Sequence, residues 1–165
     1  MAESWDGIWG YIYAVTKDPH TTDDLAQDVF VRAYTHWDQF RGESSRKTWL
    51  FKIARNVCRD HQRSAFFRRV IPMDAMKLHA VSSAHARSSE DEAMQDFESH
   101  ALWQAIFRLR KIYREVILLH IREDLTFKEI ASILNVSEST VRSRYRRALE
   151  QLQDSIGKEM MQSGV

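Results

Sequence analysis

The sequence predicts an all-α fold: two small helical domains joined by a flexible linker. Three observations carry that prediction. Glycine (5) and proline (2) are too scarce among 165 residues for a turn-rich β fold. No segment sustains the apolar–polar alternation of a half-buried strand. Apolar residues instead recur every three to four positions in both halves, and this periodicity lapses from Val70 to Glu92, where small and charged residues make a linker. Each half, at roughly 65–70 residues, is near the lower limit for an independent core.

Trp5, Ile8, Trp9, Ile12 and Tyr13 trace the first helix, and Lys17-Asp18-Pro19-His20 ends it, with Pro19 as the breaker. Thr21 or Thr22 can cap the second helix, with Asp23 and Asp24 in its first turn. Leu25, Val29, Ala33 and Trp37 form its apolar side, with Phe30 and Tyr34 beside them. Asp24, Gln27, Asp28 and Arg32 lie toward the other side, as a solvated face or as a polar docking surface.

Phe40 to Arg46 is a loop by composition, and Lys47-Thr48-Trp49-Leu50-Phe51 opens a third helix with Leu50, Ile53, Ala54 and Val57 as its core face. From Arg41 to Arg69 nine basic residues stand against two acidic ones, an excess hidden by a formal net charge of +1. Phe40, Trp49, Phe51, Phe66 and Phe67 lie among them. Charge that follows phosphates and π faces for unstacked bases suit single-stranded nucleic acid. Trp49 and Phe51 are equally compatible with core positions.

Acidic residues gather at Glu90, Asp91, Glu92, Asp96 and Glu98, as a solvated helix start. Leu102, Ala105, Ile106 and Leu109 begin the second unit, and Tyr113, Val116, Ile117 and Ile121 continue it. Thr126 to Arg147, TFKEIASILNVSESTVRSRYRR, then reads as helix, tight turn, helix. Phe127, Ile130, Ala131 and Leu134 share one face; Asn135 tolerates the left-handed backbone of a helix end; Val136 plugs the angle; Ser137 caps the second helix, with Glu138 in its first turn. Val141, Tyr145, Ala148 and Leu152 face inward on that helix. Ser139, Arg142, Ser143 and Arg146 point the other way, with the donors that phosphates and guanine edges accept.

Several chemistries find no support. Gly-rich phosphate loops, GxSxG and HExxH are absent from the sequence, and the seven histidines are scattered, so neither an enzyme, a cofactor nor a metal centre is expected. The single cysteine, Cys58, fits a reducing compartment and a buried hydrophobic role. The longest aliphatic run, Val116 to Leu119, is far too short to span a membrane.

The stretch DDLAQDVFVRAYTHWDQFRGESSRKTWLFKIARNVCRDHQR, paired with YREVILLHIREDLTFKEIASILNVSESTVRSRYRRALEQL, resembles the extracytoplasmic-function (group IV) RNA polymerase sigma factors. The resemblance implies region 2 over residues 1–69, a linker over 70–97, region 4 over 98–157 and a frayed tail over 158–165. It implies that Asp24, Gln27, Asp28 and Arg32 dock on the clamp helices of the polymerase's largest subunit. It assigns Phe40, Arg41, Gly42, Glu43, Ser44, Lys47, Trp49, Lys52, Arg55, Asn56 and Arg59 to opening and capturing the −10 element. It assigns Ser137, Glu138, Ser139, Thr140, Arg142, Ser143, Arg146 and Arg147 to reading the −35 duplex. The implied partners are core RNA polymerase, including the flap of the second-largest subunit, promoter DNA and an anti-sigma factor. The implied location is the cytoplasm, without membrane insertion. Arg110 departs from the family, which usually has proline there, and the helix from Leu102 is expected to run on further than usual. The rival reading is a two-domain helix-turn-helix regulator that acts without replacing the sigma factor; a helical nuclease is the remoter one.

Overall fold

The computed structural model describes the backbone of residues 2–70 and 96–163, and every regular element among them is helical. The elements are α1 (Ala2–Thr16), α2 (Pro19–Thr35), a 3-10 turn (Trp37–Gln39), α3 (Arg46–Val70), α4 (Asp96–Arg108), α5 (Lys111–Ile117), a π turn (Leu118–Arg122), α6 (Phe127–Leu134) and α7 (Glu138–Ser163). The expected linker lies almost wholly outside the described residues. The segment expected to fray at 158 is helical in its backbone to Ser163.

The first connection differs from expectation. Lys17, at φ 57, closes α1, and Asp18 caps α2 by accepting the Thr21 N–H at 2.8 Å. Pro19 opens the helix rather than breaking one, because the first helical position has no use for an N–H. Neither threonine caps: Thr22 is buried and donates its hydroxyl to the Asp18 carbonyl at 2.8 Å. Asp23 and Asp24 fall beyond the first turn.

Helix α1 is buried around most of its circumference. Ile8, Ile12 and Val15 join Ala26, Val29, Ala54 and Val57 of α2 and α3, as the stripe predicts. Gly7, Gly10, Tyr11 and Ala14 are buried as well, against α5 and the π turn. A Cβ on Gly7 would stand 2.7 Å from a Glu123 carboxylate oxygen, and one on Gly10 would overlap the Arg122 guanidinium. One core therefore runs through both halves, from Ile8, Val29 and Val57 to Val116, Leu119, Ile130 and Val141. A second cluster joins Ala105, Ile106, Leu109, Tyr113, Ile117, Leu118, Ala148 and Leu152.

Two expectations in the second half are corrected. Helix α4 ends at Arg108, and Arg110 takes φ −58, ψ 144 as the residue before α5, so the helix from Leu102 does not run on. Ile121 is 61% exposed. The π turn inserts an extra residue, with the Glu123 N–H reaching the Leu118 carbonyl at 3.2 Å. The phase shift buries Leu118 and Leu119 and turns Ile121 outward. Leu102, expected in the core face, is also 45% exposed.

The helix-turn-helix forms as its residues dictate. Thr126 accepts the Glu129 N–H while Glu129 accepts the Thr126 N–H, a reciprocal capping box. Asn135 is left-handed at φ 50, ψ 52. Val136 packs on the core, and Ser137 Oγ accepts the Thr140 N–H at 3.1 Å.

Candidate nucleic-acid interface

The loop from Phe40 to Ser45 turns at Gly42, whose φ of 73 suits a residue without Cβ. It brings three rings together: Phe40 lies 5.3 Å from Trp49, and Trp37 lies 5.8 Å from Phe40 and 5.9 Å from Trp49. Arg46 stands 5.5 Å over Trp37. A groove of about 1030 Å³ opens beside them, lined by Phe30, Tyr34, Trp37, Trp49 and Leu50 with Arg46 and Lys47. Phe51, by contrast, is a core residue, set edge-on to Tyr11 at 5.7 Å. A second hollow of about 550 Å³ gathers Phe40, Arg41, Glu43, Ser44, Trp49 and Lys52. Arg55 is half-buried and Asn56 and Arg59 are exposed, one to two turns further along α3.

The other half of the chain reaches this segment. Lys47 Nζ pairs with Glu123 Oε2 at 3.1 Å and donates to the Glu123 carbonyl at 2.5 Å. Thr48 and Ser45 donate their hydroxyls to Glu129 Oε1 at 3.0 and 3.4 Å. Glu129 Oε2 accepts the Thr126 N–H at 2.9 Å. That amide bond, with the hydroxyls of Thr126, Thr48 and Ser45, holds the Glu129 carboxyl below its usual range against the opposing effect of burial. Ser132 of α6 also lines the second hollow.

Polar contacts across the halves continue underneath. Tyr11 donates to Glu115 at 2.9 Å, and burial, then the Glu115 charge, pushes the phenol well up. The buried Arg114 donates to the carbonyls of Ala14, Phe107 and Leu109 at 2.7, 2.9 and 2.9 Å, where α1 and α4 end. A guanidinium suits two helix C-termini whose carbonyls lack intrahelical donors. Spacing and composition do not mark Glu115, Arg114, Glu123 or Glu129 as joining residues. The available signal was Gly7, Gly10 and Ala14, small residues at helical spacing that permit close approach.

On α7, Arg142 is held by Glu138, with Nη2 and Nε at 2.5 and 3.2 Å from the same oxygen. Its guanidinium lies 5.0 Å over the Phe127 ring. The hydroxyls of Ser139 and Thr140 lie 2.9 and 2.8 Å from Ser137 Oγ. Arg146 and Arg147 are exposed and Ser143 is half-buried. Val141, Ala148 and Leu152 occupy the buried side. The His120 ring lies 4.5 Å from the Phe127 ring, tilted by 34°, and meets Tyr145 edge-on at 4.9 Å.

Along α2, Asp24 and Gln27 are exposed. Asp28 pairs with Arg32 at 2.9 Å, and Arg32 reaches Asp60 of α3 at 3.5 Å. Val31 and Tyr34, 62% and 86% exposed, extend this surface with apolar area. Cys58 is buried, and burial raises its thiol to about 12. Among the described residues no helix is long and apolar enough to cross a membrane, and no cluster of three or more potential metal ligands forms.

An outward, arginine-bearing helix-turn-helix joined to a basic, aromatic-lined helical unit defines a helical DNA-binding protein. Residues 6–66 match the model of sigma-70 region 2, and residues 99–152 that of sigma-70 region 4. The chain is 30% identical over 156 residues to the ECF RNA polymerase sigma factor SigW of Bacillus subtilis, covering 92% of this chain and 83% of that one. It is 33% identical over 135 residues to the probable RNA polymerase sigma factor RfaY of Xanthomonas campestris pv. campestris, where 82% of this chain spans 34% of a longer protein. It belongs to the sigma-70 family of RNA polymerase sigma factors, in the extracytoplasmic-function group. Its fold is similar to that of the sigma factor RpoE in complex with the anti-sigma factor NepR from Bartonella quintana, with a TM-score of 0.70 at 24% identity over 93% of this chain and 92% of that one. It is similar also to CnrH in complex with the cytosolic domain of CnrY, with a TM-score of 0.62 at 21% identity over 95% and 84%.

Proposed function

We propose that the chain binds core RNA polymerase and directs promoter-specific initiation, reading the −35 duplex with α7 and capturing the −10 non-template strand with the segment from Phe40 to Arg59. The observation that carries this reading is the gathering of Trp37, Phe40 and Trp49 beside Arg46 and Lys52 in a chain whose other end offers Arg142, Arg146 and Arg147 outward. Unstacking and extruding promoter bases costs a few kcal/mol per step. Rings and cations that accept the freed strand offset that cost. Two modest sites on one chain gain by effective concentration, with the polymerase setting their spacing. Asp24, Gln27, Asp28 and Arg32 present the surface for the clamp helices, and region 4 meets the flap. In this reading residues 1–69 act as region 2, 98–157 as region 4 and the segment between as tether. The chain itself catalyses nothing and works in the cytoplasm.

An anti-sigma factor as inhibitor fits the same reading, since the sigma factor RpoE from Bartonella quintana is described in complex with the anti-sigma factor NepR. The exposed Val31, Tyr34 and Trp37 and the adjoining groove supply apolar area for it. The helix-turn-helix regulator is not favoured: it gives no role to the aromatic and basic loop. Run-off transcription with purified core polymerase, with and without the chain, tests the proposal. Start-site-specific transcripts that need the chain are expected; equal transcription without it would refute the reading.

A further inference from the structure

One histidine of the π turn meets both helices of the helix-turn-helix. His120 Nδ1 lies 2.8 Å from the Leu125 carbonyl, just ahead of the Thr126 cap. A carbonyl only accepts, so Nδ1 carries the proton and Nε2 is the basic nitrogen of the neutral ring. The imidazole is 4.5 Å from Phe127, the first residue of α6, and 4.9 Å from Tyr145 of α7. Those two rings are themselves 5.3 Å apart. Phe127 also carries the Arg142 guanidinium, at 5.0 Å. Imidazole and guanidinium thus lie within 5.0 Å of one ring centroid. That keeps them closer together than the ~10 Å screening length of 0.1 M salt.

We infer that His120 is a pH-sensing positioning residue for Arg142: neutral, it packs on the ring that carries Arg142; protonated, it is a second cation at that ring and displaces Arg142 from the pose that reads the −35 duplex. The inference rests on the reading of α7 as the −35 helix. Histidine is the side chain that ordinarily gains charge between pH 8 and pH 5. The negative face of a ring attracts a cation, and two cations at one ring repel each other. Glu138 alone then holds the guanidinium, from within α7. The other charged groups around the turn are engaged elsewhere or exposed. On α1 and α5, Tyr11 and Glu115 bond each other, and Arg114 is spent on three backbone carbonyls. Arg122 stands over Trp103, Glu123 pairs with Lys47, and Glu129 of α6 bonds Thr126 and Thr48. Asp124 and Lys128 are exposed. Proton uptake opposes the reading pose, so −35 discrimination is full above the histidine range and declines as the pH falls through it.

Two measurements test this. Holoenzyme made with the full chain is competed between a promoter and its −35 variants at pH 7.5 and pH 5.5. A general gain in DNA affinity at low pH is common to all these variants and cancels in the ratio. Wild-type discrimination should fall about threefold at the lower pH, ~0.7 kcal/mol, which an exposed cation–π contact can supply. His120→Phe keeps an aromatic ring and takes no proton; it should hold the pH 7.5 value at both pH values. The second measurement needs no variant. In the free chain, the NMR signal of the Arg142 Nε–H should shift with the same midpoint as the His120 imidazole, a coupling that a merely structural histidine would not produce. An equal wild-type ratio at the two pH values overturns the inference. So does a fall that persists in His120→Phe, or an Arg142 signal that ignores the His120 titration. A holoenzyme with no −35 preference at pH 7.5 overturns the reading of α7 itself, and the inference with it.

Discussion

The Arg142 guanidinium lies 5.0 Å over the Phe127 ring, joining the two helices of the helix-turn-helix at the surface. Glu138 holds the same guanidinium from within α7. A long, flexible side chain is thereby set in one orientation before any duplex arrives. Arg142→Ala should cost about 1–3 kcal/mol of −35 discrimination if the fork meets a base edge. Phe127→Leu should cost less, about 0.5–1 kcal/mol, the range of an exposed cation–π contact. Competition between −35 variants for the holoenzyme measures both. Unchanged preference in the arginine variant would remove α7 from the reading.

Asn56 is exposed on α3, beyond the aromatic cluster and outside the contacts between the halves. Asn56→Ala should slow open-complex formation and leave association with core polymerase intact. Permanganate reactivity of the bubble thymines reports the first effect, and gel filtration of the complex the second. Full bubble reactivity would exclude Asn56 from strand capture.

Asp24 is exposed, whereas Arg32 is already engaged with Asp28 and Asp60. Reversing Asp24 therefore alters the surface without breaking that network. Asp24→Arg should weaken co-purification with core polymerase while thermal stability stays within about 0.5 kcal/mol, as for surface changes generally. Normal co-purification would move the docking surface elsewhere.

Arg110 sits at φ −58, ψ 144, within the range to which a proline ring locks φ. Arg110→Pro should stabilise the chain by about 0.4–1 kcal/mol, chiefly by restricting the unfolded state. Urea denaturation measures it. A lower midpoint would mean that the Arg110 N–H or the Leu109 backbone matters more than its dihedral angles imply.

The Glu129 carboxyl is held below its ordinary value of 4.5, first by the Thr126 amide and then by the hydroxyls of Thr126, Thr48 and Ser45. Its ionised form favours the folded chain, so its contribution is complete above about pH 4.5 and disappears as the pH falls through the lowered value. Glu129→Gln should flatten the decline of Tm below pH 4.5 and leave its slope near pH 7 unchanged. Parallel acid-side curves for both proteins would contradict the assignment.

The helix-turn-helix was legible in the amino-acid sequence because everything that shapes it is local. Thr126, Asn135 and Ser137 act on neighbours within four residues, and the inward and outward sides of α7 follow from a period of 3.6. The loop chemistry was legible too, as a concentration of arginine, lysine and aromatic residues. Local reading failed where one additional residue changed the phase, as at the π turn that exposes Ile121, and where Asp18 supplied the cap that a threonine also could have supplied. Periodicity reveals one buried side of a helix; it could not show that Gly7, Gly10 and Ala14 make a second one on α1. Nor could spacing reveal that Glu123 meets Lys47 or that Glu129 meets Thr48, 76 and 81 residues apart. The types of residue and the helices they form are properties of short segments. Which carboxylate lies on which cation depends on how the helices pack, and only the tertiary structure decides that.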